Sequence, residues 1–310
     1  MKERYALLDS IRGITLLSMI LYHGMFDLVE IYGVKVPWFW DTSGYIWQQS
    51  ICWTFILLSG FCWNLGRRHL KRGLMIMGGG LLVTVVTCFF MPSEKILFGI
   101  LTFTGAAMLL LILLSKVLEK SPAWMGLAGS ILIFILTRNV NRGIFGFETL
   151  ELGKVPAILY RGLFMTFLGF PEPGFFSGDY FSLVPWIFLY LTGYFLYRLA
   201  MKNQEVRNFL HVHLPVPFLE AAGRHSLLLY LLHQPLLMLV FTVADMLKIL
   251  SLTFESMDDN IMNMSGTDGI GRHARFRFLC REACGFKSHV PHQLYKKEDE
   301  PDFGSSSLRT

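Results

Sequence analysis

Seven apolar runs, at residues 11–31, 46–65, 74–91, 96–114, 124–136, 181–199 and 227–249, decide what this chain can fold into. About 20 helical residues cross the roughly 30 Å hydrocarbon layer of a bilayer. Backbone polar groups inside lipid must be satisfied within the protein, which favours helices. The run at 124–136 is short and contains Gly126 and Gly129; it is read as a span because omitting it breaks the charge pattern below. Composition agrees, with 53% hydrophobic and only 16% charged residues, against roughly a quarter charged in a soluble domain. The expected architecture is all-α: a polytopic transmembrane helix bundle of about seven spans, forming one domain over residues 1–250.

Basic residues give the orientation. Lys2 and Arg4 precede the first span, Arg67, Arg68, Lys71 and Arg72 follow the second, Lys116 and Lys120 the fourth, and Arg198, Lys202 and Arg207 the sixth. Placing all of them inside predicts a multi-pass protein of seven spans with a cytoplasmic N-terminus and the C-terminus outside; the membrane expected is the plasma membrane. Arg138 and Arg142 are the exception, since this scheme puts them outside. Basic residues at segment ends explain the net charge of +5 without nucleic acid as a partner. The N-terminus lacks an A-x-A-like cleavage site, so no signal peptide is expected. Cys52, Cys62 and Cys88 lie in apolar segments and read as small buried hydrophobes.

Two regions stand apart. Residues 138–180 are punctuated by Gly143, Gly146, Gly153, Pro156, Gly169, Pro171, Pro173, Gly174 and Gly178. The apolar piece at 155–170 is interrupted by Arg161 and reads as a re-entrant or interfacial segment, because irregular backbone at membrane depth must line a cavity or pack on protein. Residues 251–310 form a polar, mixed-charge tail expected to be disordered. Within it, Cys280, Cys284, His289 and His292 match no common zinc spacing, so no metal is expected.

The first run carries the functional signal. Asp9, Arg12, His23, Asp27 and Glu30 fall in or beside it, and ionisable groups inside a membrane mark sites by default. On a helix Arg12 and His23 lie three turns apart on one face, Asp27 lies one turn beyond His23, and Asp9 just precedes Arg12. One helix therefore presents acid, guanidinium, imidazole and carboxylate along a stripe. From Arg12 to Asp27 that stripe rises about 22 Å.

These residues resemble a known family. Arg4, Leu8-Asp9, Arg12-Gly13, Met19, His23 and Asp27 are similar to the first-helix signature of bacterial membrane proteins related to the catalytic domain of heparan-α-glucosaminide N-acetyltransferase. Leu58-Ser59-Gly60, Phe98-Gly99-Ile100-Leu101, Asp179-Tyr180-Phe181 with Pro185-Trp186, and Gly223-Arg224-His225-Ser226-Leu227 with Tyr230 and His233-Gln234-Pro235 agree in order. Thr102 and Ser182 depart, standing where some members carry His and Pro. The resemblance covers residues 4–250. It implies a transmembrane acyltransferase that takes an acetyl or other acyl group from cytosolic acyl-coenzyme A and delivers it to a sugar-type acceptor. Membrane lipid is an expected partner, and a homo-oligomer is compatible with the sequence.

Acyl transfer needs a base near pH 7, which points to His23 as the catalytic group. Asp27, one turn on, could fix its tautomer; the structural alternative is a His–Asp pair that only pins helices. Arg12 could hold a donor phosphate through its planar fork, or equally snorkel or pair with Asp9 as a clasp. His233, near mid-depth beside Pro235, could act as a second acid/base or orient the acceptor, or could satisfy the Leu231 carbonyl that the proline frees. His225 reads as interfacial or N-capping, with donor binding as the lesser option. Asp179 and Tyr180 open the sixth span, where the carboxylate could position an acceptor hydroxyl or cap the helix and the tyrosine could join an aromatic belt. Arg161 is a candidate charge partner for Asp179 or Asp27. A small-solute transporter or channel is the rival class, but the sequence shows no internal repeat of the kind transporters often carry.

Overall fold

A computed structural model describes residues 5–247; the expected tail and its Cys/His cluster lie outside the described residues. Every apolar run is a helix within a few residues of its expected bounds. These are α1 (Ala6–Glu30), α2 (Thr42–Trp63), α3 (His69–Phe90), α4 (Ile100–Leu118) and α5 (Ala123–Thr137), then α7 (Leu183–Ala200) and α10 (Ser226–Met246). Three shorter helices intervene: α6 (Gly162–Leu168), α8 (Gln204–Leu210) and α9 (Pro217–Arg224). The result is an all-α membrane bundle. Five of the described helices are long and apolar enough to cross a bilayer, the short α5 among them once its last turn is counted. The 25-residue α1 and 22-residue α2 have the length but carry the charged and amide side chains of the site described below.

The 138–182 connection carries one element the sequence reading did not foresee. It contains an antiparallel hairpin, β1 (Ile144–Phe147) and β2 (Leu150–Lys154). The 155–170 piece is a single 3-10 turn followed by the seven-residue α6. Seven residues rise only about 10 Å, so this piece does not cross. It packs beside α7, with Ile158, Leu163 and Phe164 outward.

Close backbone approaches lock the bundle. A methyl group on Gly60 of α2 would lie 1.9 Å from the Tyr190 carbonyl oxygen of α7, and one on Gly193 of α7 would lie 2.1 Å from the Leu57 carbonyl oxygen. The pair is reciprocal. The same holds between α1 and α9, where Gly13 meets Leu219 and Gly223 meets Asp9. Small residues are how membrane helices gain van der Waals contact when lipid is as apolar as the side chains. Of Gly78, Gly79 and Gly80 in α3, only Gly80 is pressed against a neighbour, Thr102 of α4. The main core lies where α2, α4 and α7 meet, around Ile56, Phe103, Leu111, Trp186, Tyr190 and Tyr194.

The helices define two ends. The hairpin reaches the start of α2, where Tyr45 donates to Glu148 at 2.7 Å. The far end of α2 stacks Trp63 on His69 at the start of α3, so most of the basic loops share that opposite end. Adding a methyl at Gly60 or Gly193 should separate α2 from α7 and cost about 1–3 kcal/mol. Gly78→Ala faces open space and should be neutral or stabilising, since glycine is a poor helix former. Thermal melts in detergent check this; equal losses at Gly78 and Gly60 would contradict it.

Candidate functional site

His23 leaves α1 toward a small cavity walled by α1, α2, the start of α4, the segment before α7, and α10. Met19, Ile51, Phe55, Ile100 and Phe181 make most of it apolar; Tyr22, His23, Gln48, Cys52, Asp179 and Tyr230 supply polar groups. An apolar pocket with a few convergent polar groups is the usual form of a small-molecule site. Counting from Ala6, His23 stands about 26 Å along α1 and thus toward the hairpin end.

Behind His23 lies His233. The two rings have centroids 4.9 Å apart, and His233 is 8% exposed. Its Nδ1 is 2.5 Å from the Tyr230 carbonyl oxygen. A carbonyl only accepts, so Nδ1 donates and Nε2 keeps a lone pair. That Nε2 is buried without a hydrogen-bond partner among the described residues. The bond goes to Tyr230 rather than to Leu231, the carbonyl that Pro235 frees.

Asp27 is 2% exposed, and both its oxygens accept from Gln234 Nε2, at 3.1 and 3.0 Å. No hydrogen bond joins it to His23. The expected imidazole–carboxylate contact along α1 is thus replaced by a carboxylate–amide clasp to α10. Gln234 sits beside His233 in sequence, and that adjacency was the one available signal for it.

Asp179 reaches the cavity from a strap. Gly178 N–H donates to the Lys95 carbonyl at 3.0 Å, and Phe181 N–H to the Phe98 carbonyl at 2.9 Å. The strap brings Asp179 Oδ2 to 3.1 Å from Ile100 N–H, so Asp179 caps α4 rather than the helix it precedes. Gly99 keeps room for it, since a methyl there would lie 2.9 Å from Oδ2. Tyr180 donates to the Thr166 carbonyl and ties α6 down. Arg161 is exposed at the start of α6, and its proposed pairing with Asp179 or Asp27 does not form.

At the other end of α1, Arg12 donates to Asp9 at 2.9 Å and to Cys62 Sγ of α2 at 3.1 Å. This clasp is separated from the cavity by about 16 Å of helix. His225 is exposed at the α9–α10 junction and its side chain makes no cap. The stripe therefore divides in two: His23 and Asp179 line the cavity with His233 and Asp27 behind, while Arg12, Asp9 and His225 belong to the opposite end.

The out-of-pattern Arg138 has a structural explanation. It is 7% exposed, donates to Tyr45 Oη and to Gln49 Oε1 of α2 at 3.2 and 3.0 Å, and lies 3.4 Å from Glu148 of the hairpin. Its guanidinium also sits 4.9 Å above the Trp186 ring. Gln48, Cys52 and Tyr230 escaped the sequence reading as site residues, because uncharged side chains in apolar runs look like ordinary interior. The three-residue step from Tyr230 to His233, which puts both on one face of α10, was the available cue for the tyrosine.

Burial pushes the Asp179 carboxyl up to about 6, with the Ile100 N–H bond pulling the other way. A raised carboxyl favours its protonated form in the folded state. Its stabilising contribution is therefore full below the unfolded value near 4 and is lost as pH rises through 6. Asp179→Asn cannot ionise, so its melting temperature should gain on the wild type between pH 4.5 and 7.5. A gap that stays constant over that range would refute the assignment.

The family model described as heparan-alpha-glucosaminide N-acetyltransferase, catalytic, matches residues 4–235. Among curated proteins and among solved structures, nothing matches the chain. Among the described residues, no cluster of three or more His, Cys, Asp or Glu side chains is arranged to hold a metal ion.

Proposed function

The chain belongs to the heparan-α-glucosaminide N-acetyltransferase catalytic family, and from that premise we propose that it moves an acyl group, acetyl in the first instance, from cytosolic acyl-coenzyme A to a sugar-type acceptor at the cavity around His23. The observation that carries the reading is that His23, an imidazole, opens onto a largely apolar cavity between α1, α2, α4 and α10, where a general base meets a mostly apolar wall, as acyl transfer requires. In this reading the N-terminus is cytoplasmic and the membrane is the plasma membrane. The end of the bundle bearing Arg67, Arg68, Lys71 and Arg72 then faces the donor, in accord with the positive-inside rule.

His23 takes the proton from the acceptor as it attacks the thioester carbonyl, and returns it to the departing thiolate. His233, with its Nε2 lone pair open, gives the His23 imidazolium an adjacent base. Asp27 acts through Gln234, holding α10 so that the two imidazoles stay side by side. Arg12 offers its remaining N–H groups to a donor phosphate, with Asp9 and Cys62 fixing its fork and His225 at the same end of the bundle. Asp179 meets the acceptor in the cavity, while Tyr180 and Arg161 flank its route from the hairpin side.

The test is transfer of label from radiolabelled acetyl-coenzyme A by purified protein in detergent, with glucosamine-type acceptors. His23→Ala should lower turnover by about 10²-fold or more, the scale of a lost acid/base group, while donor binding survives. Asp27→Asn should be milder, and Arg12→Ala should weaken donor affinity before it slows turnover. A folded His23→Ala protein with near-normal transfer would overturn the assignment.

A further inference from the structure

The reaction places negative charge in a cavity whose described lining holds no lysine or arginine. When the acceptor attacks, the thioester carbonyl electrons move onto oxygen, and the resulting oxyanion needs a hydrogen-bond donor in a dry site. Among the polar groups on the cavity, Asp179 as a carboxylate only accepts, His23 is occupied with the acceptor proton, and the Cys52 thiol is a weak donor. Gln48, Tyr22 and Tyr230 remain.

Position separates these three. The Tyr22 ring is engaged in an aromatic cluster, with ring centroids 5.1 Å from Phe39 and 5.2 Å from Trp47. Gln48 stands on α2, and none of the contacts described for it fixes its amide relative to His23. Tyr230 is tied to the base from both sides. Its carbonyl accepts the His233 Nδ1 proton at 2.5 Å, its ring centroid lies 5.4 Å from that of His233, and the His233 ring lies 4.9 Å from His23. Its own ring lines the cavity. The phenol is also uncommitted: Tyr45, Tyr160 and Tyr180 each spend their hydroxyl on a neighbour, whereas that of Tyr230 has no partner among the described residues.

We propose that Tyr230 is a catalytic residue of this site, its hydroxyl donating to the carbonyl oxygen of the transferring acyl group. The inference rests on the acyltransferase reading above. In the balanced step, His23 accepts the acceptor's proton while the acceptor forms its bond to the acyl carbon. Tyr230 O–H donates to the oxyanion without giving up its proton. The oxyanion then collapses, the carbon–sulfur bond breaks, and the thiolate takes the proton from His23 to leave as coenzyme A thiol.

Tyr230→Phe removes one oxygen and no existing hydrogen bond, so the protein should fold with an unchanged melting temperature. Its kcat for acetyl transfer should fall about 10²–10³-fold, with KM for acetyl-coenzyme A nearly unchanged. A second measurement is independent of turnover. Coenzyme A carrying a trifluoroacetonyl group on sulfur hydrates to an imitation of the tetrahedral adduct, and the wild type should bind it more tightly than coenzyme A. Tyr230→Phe should lose that preference and keep coenzyme A binding. Wild-type transfer together with a Tyr230→Phe protein that retains both kcat and the analogue preference overturns this inference alone. A wild type that neither binds nor transfers the acyl donor overturns the acyltransferase reading and this inference with it.

Discussion

The hydrogen-bonded contact between Asp27 and Gln234 is the interaction on which the site depends. A carboxylate 2% exposed inside a helical bundle is expensive unless it is satisfied. Both N–H···O contacts available to it come from one amide on α10. Breaking either partner leaves a buried polar group alone, which costs more than the bond contributes. The clasp therefore acts as a register pin: it sets which turn of α10 faces which turn of α1. With Gln234 fixed, the neighbouring His233 ring comes to rest 4.9 Å from His23, and Tyr230 one turn earlier falls on the cavity wall.

A second pin sets the other side of the cavity. Arg138 is held by two donations to α2, an ion pair to the hairpin, and a stacking contact with Trp186 of α7. A planar guanidinium serves this better than an ammonium, because its donors point in fixed, separate directions while its face packs on an aromatic ring. The arrangement couples the hairpin to the end of α2 that bears Gln48, and so closes the bundle at the end where the strap presents Asp179. Near the hairpin a basic residue is thus spent on architecture, which is why it does not follow the charge asymmetry of the other loops.

The helices were legible because each is long and apolar, and both His23 and Asp179 were marked by polarity in an apolar setting. What remained hidden has a common cause. Gly13, Gly60, Gly193 and Gly223 act through backbone approach across helices distant in sequence, and nothing local marks which glycine meets which carbonyl. Asp27 was legible as buried and polar, but its partner was read along the helix when it lies across it: periodicity relates residues within one helix and is silent about the facing one. The hairpin at residues 144–154 was obscured by Gly143, Gly146 and Gly153, which read as loop punctuation. In the structure Gly146 has a φ of +140° beside a register irregularity, a conformation that suits glycine.

The division of the α1 stripe follows from the same packing. At its start α1 approaches α9 through Gly13 and Gly223, and α9 turns directly into α10, so the lower half of α1 faces a short helix and the upper half faces α10. Arg12 sits in the first half, pinned to Asp9 and Cys62; His23 and Asp27 sit in the second, opposite His233 and Gln234. One helix therefore serves two chemically distinct neighbourhoods about 16 Å apart. Under the proposed function, a donor held by its phosphates at the lower half would carry its thioester on a long arm to reach the upper one, and acyl-coenzyme A has such an arm. In the same proposal the acceptor would need no such reach, because Asp179 and the strap bring the cavity wall to the hairpin end. The asymmetry of the bundle that this proposal uses comes from where α9 gives way to α10.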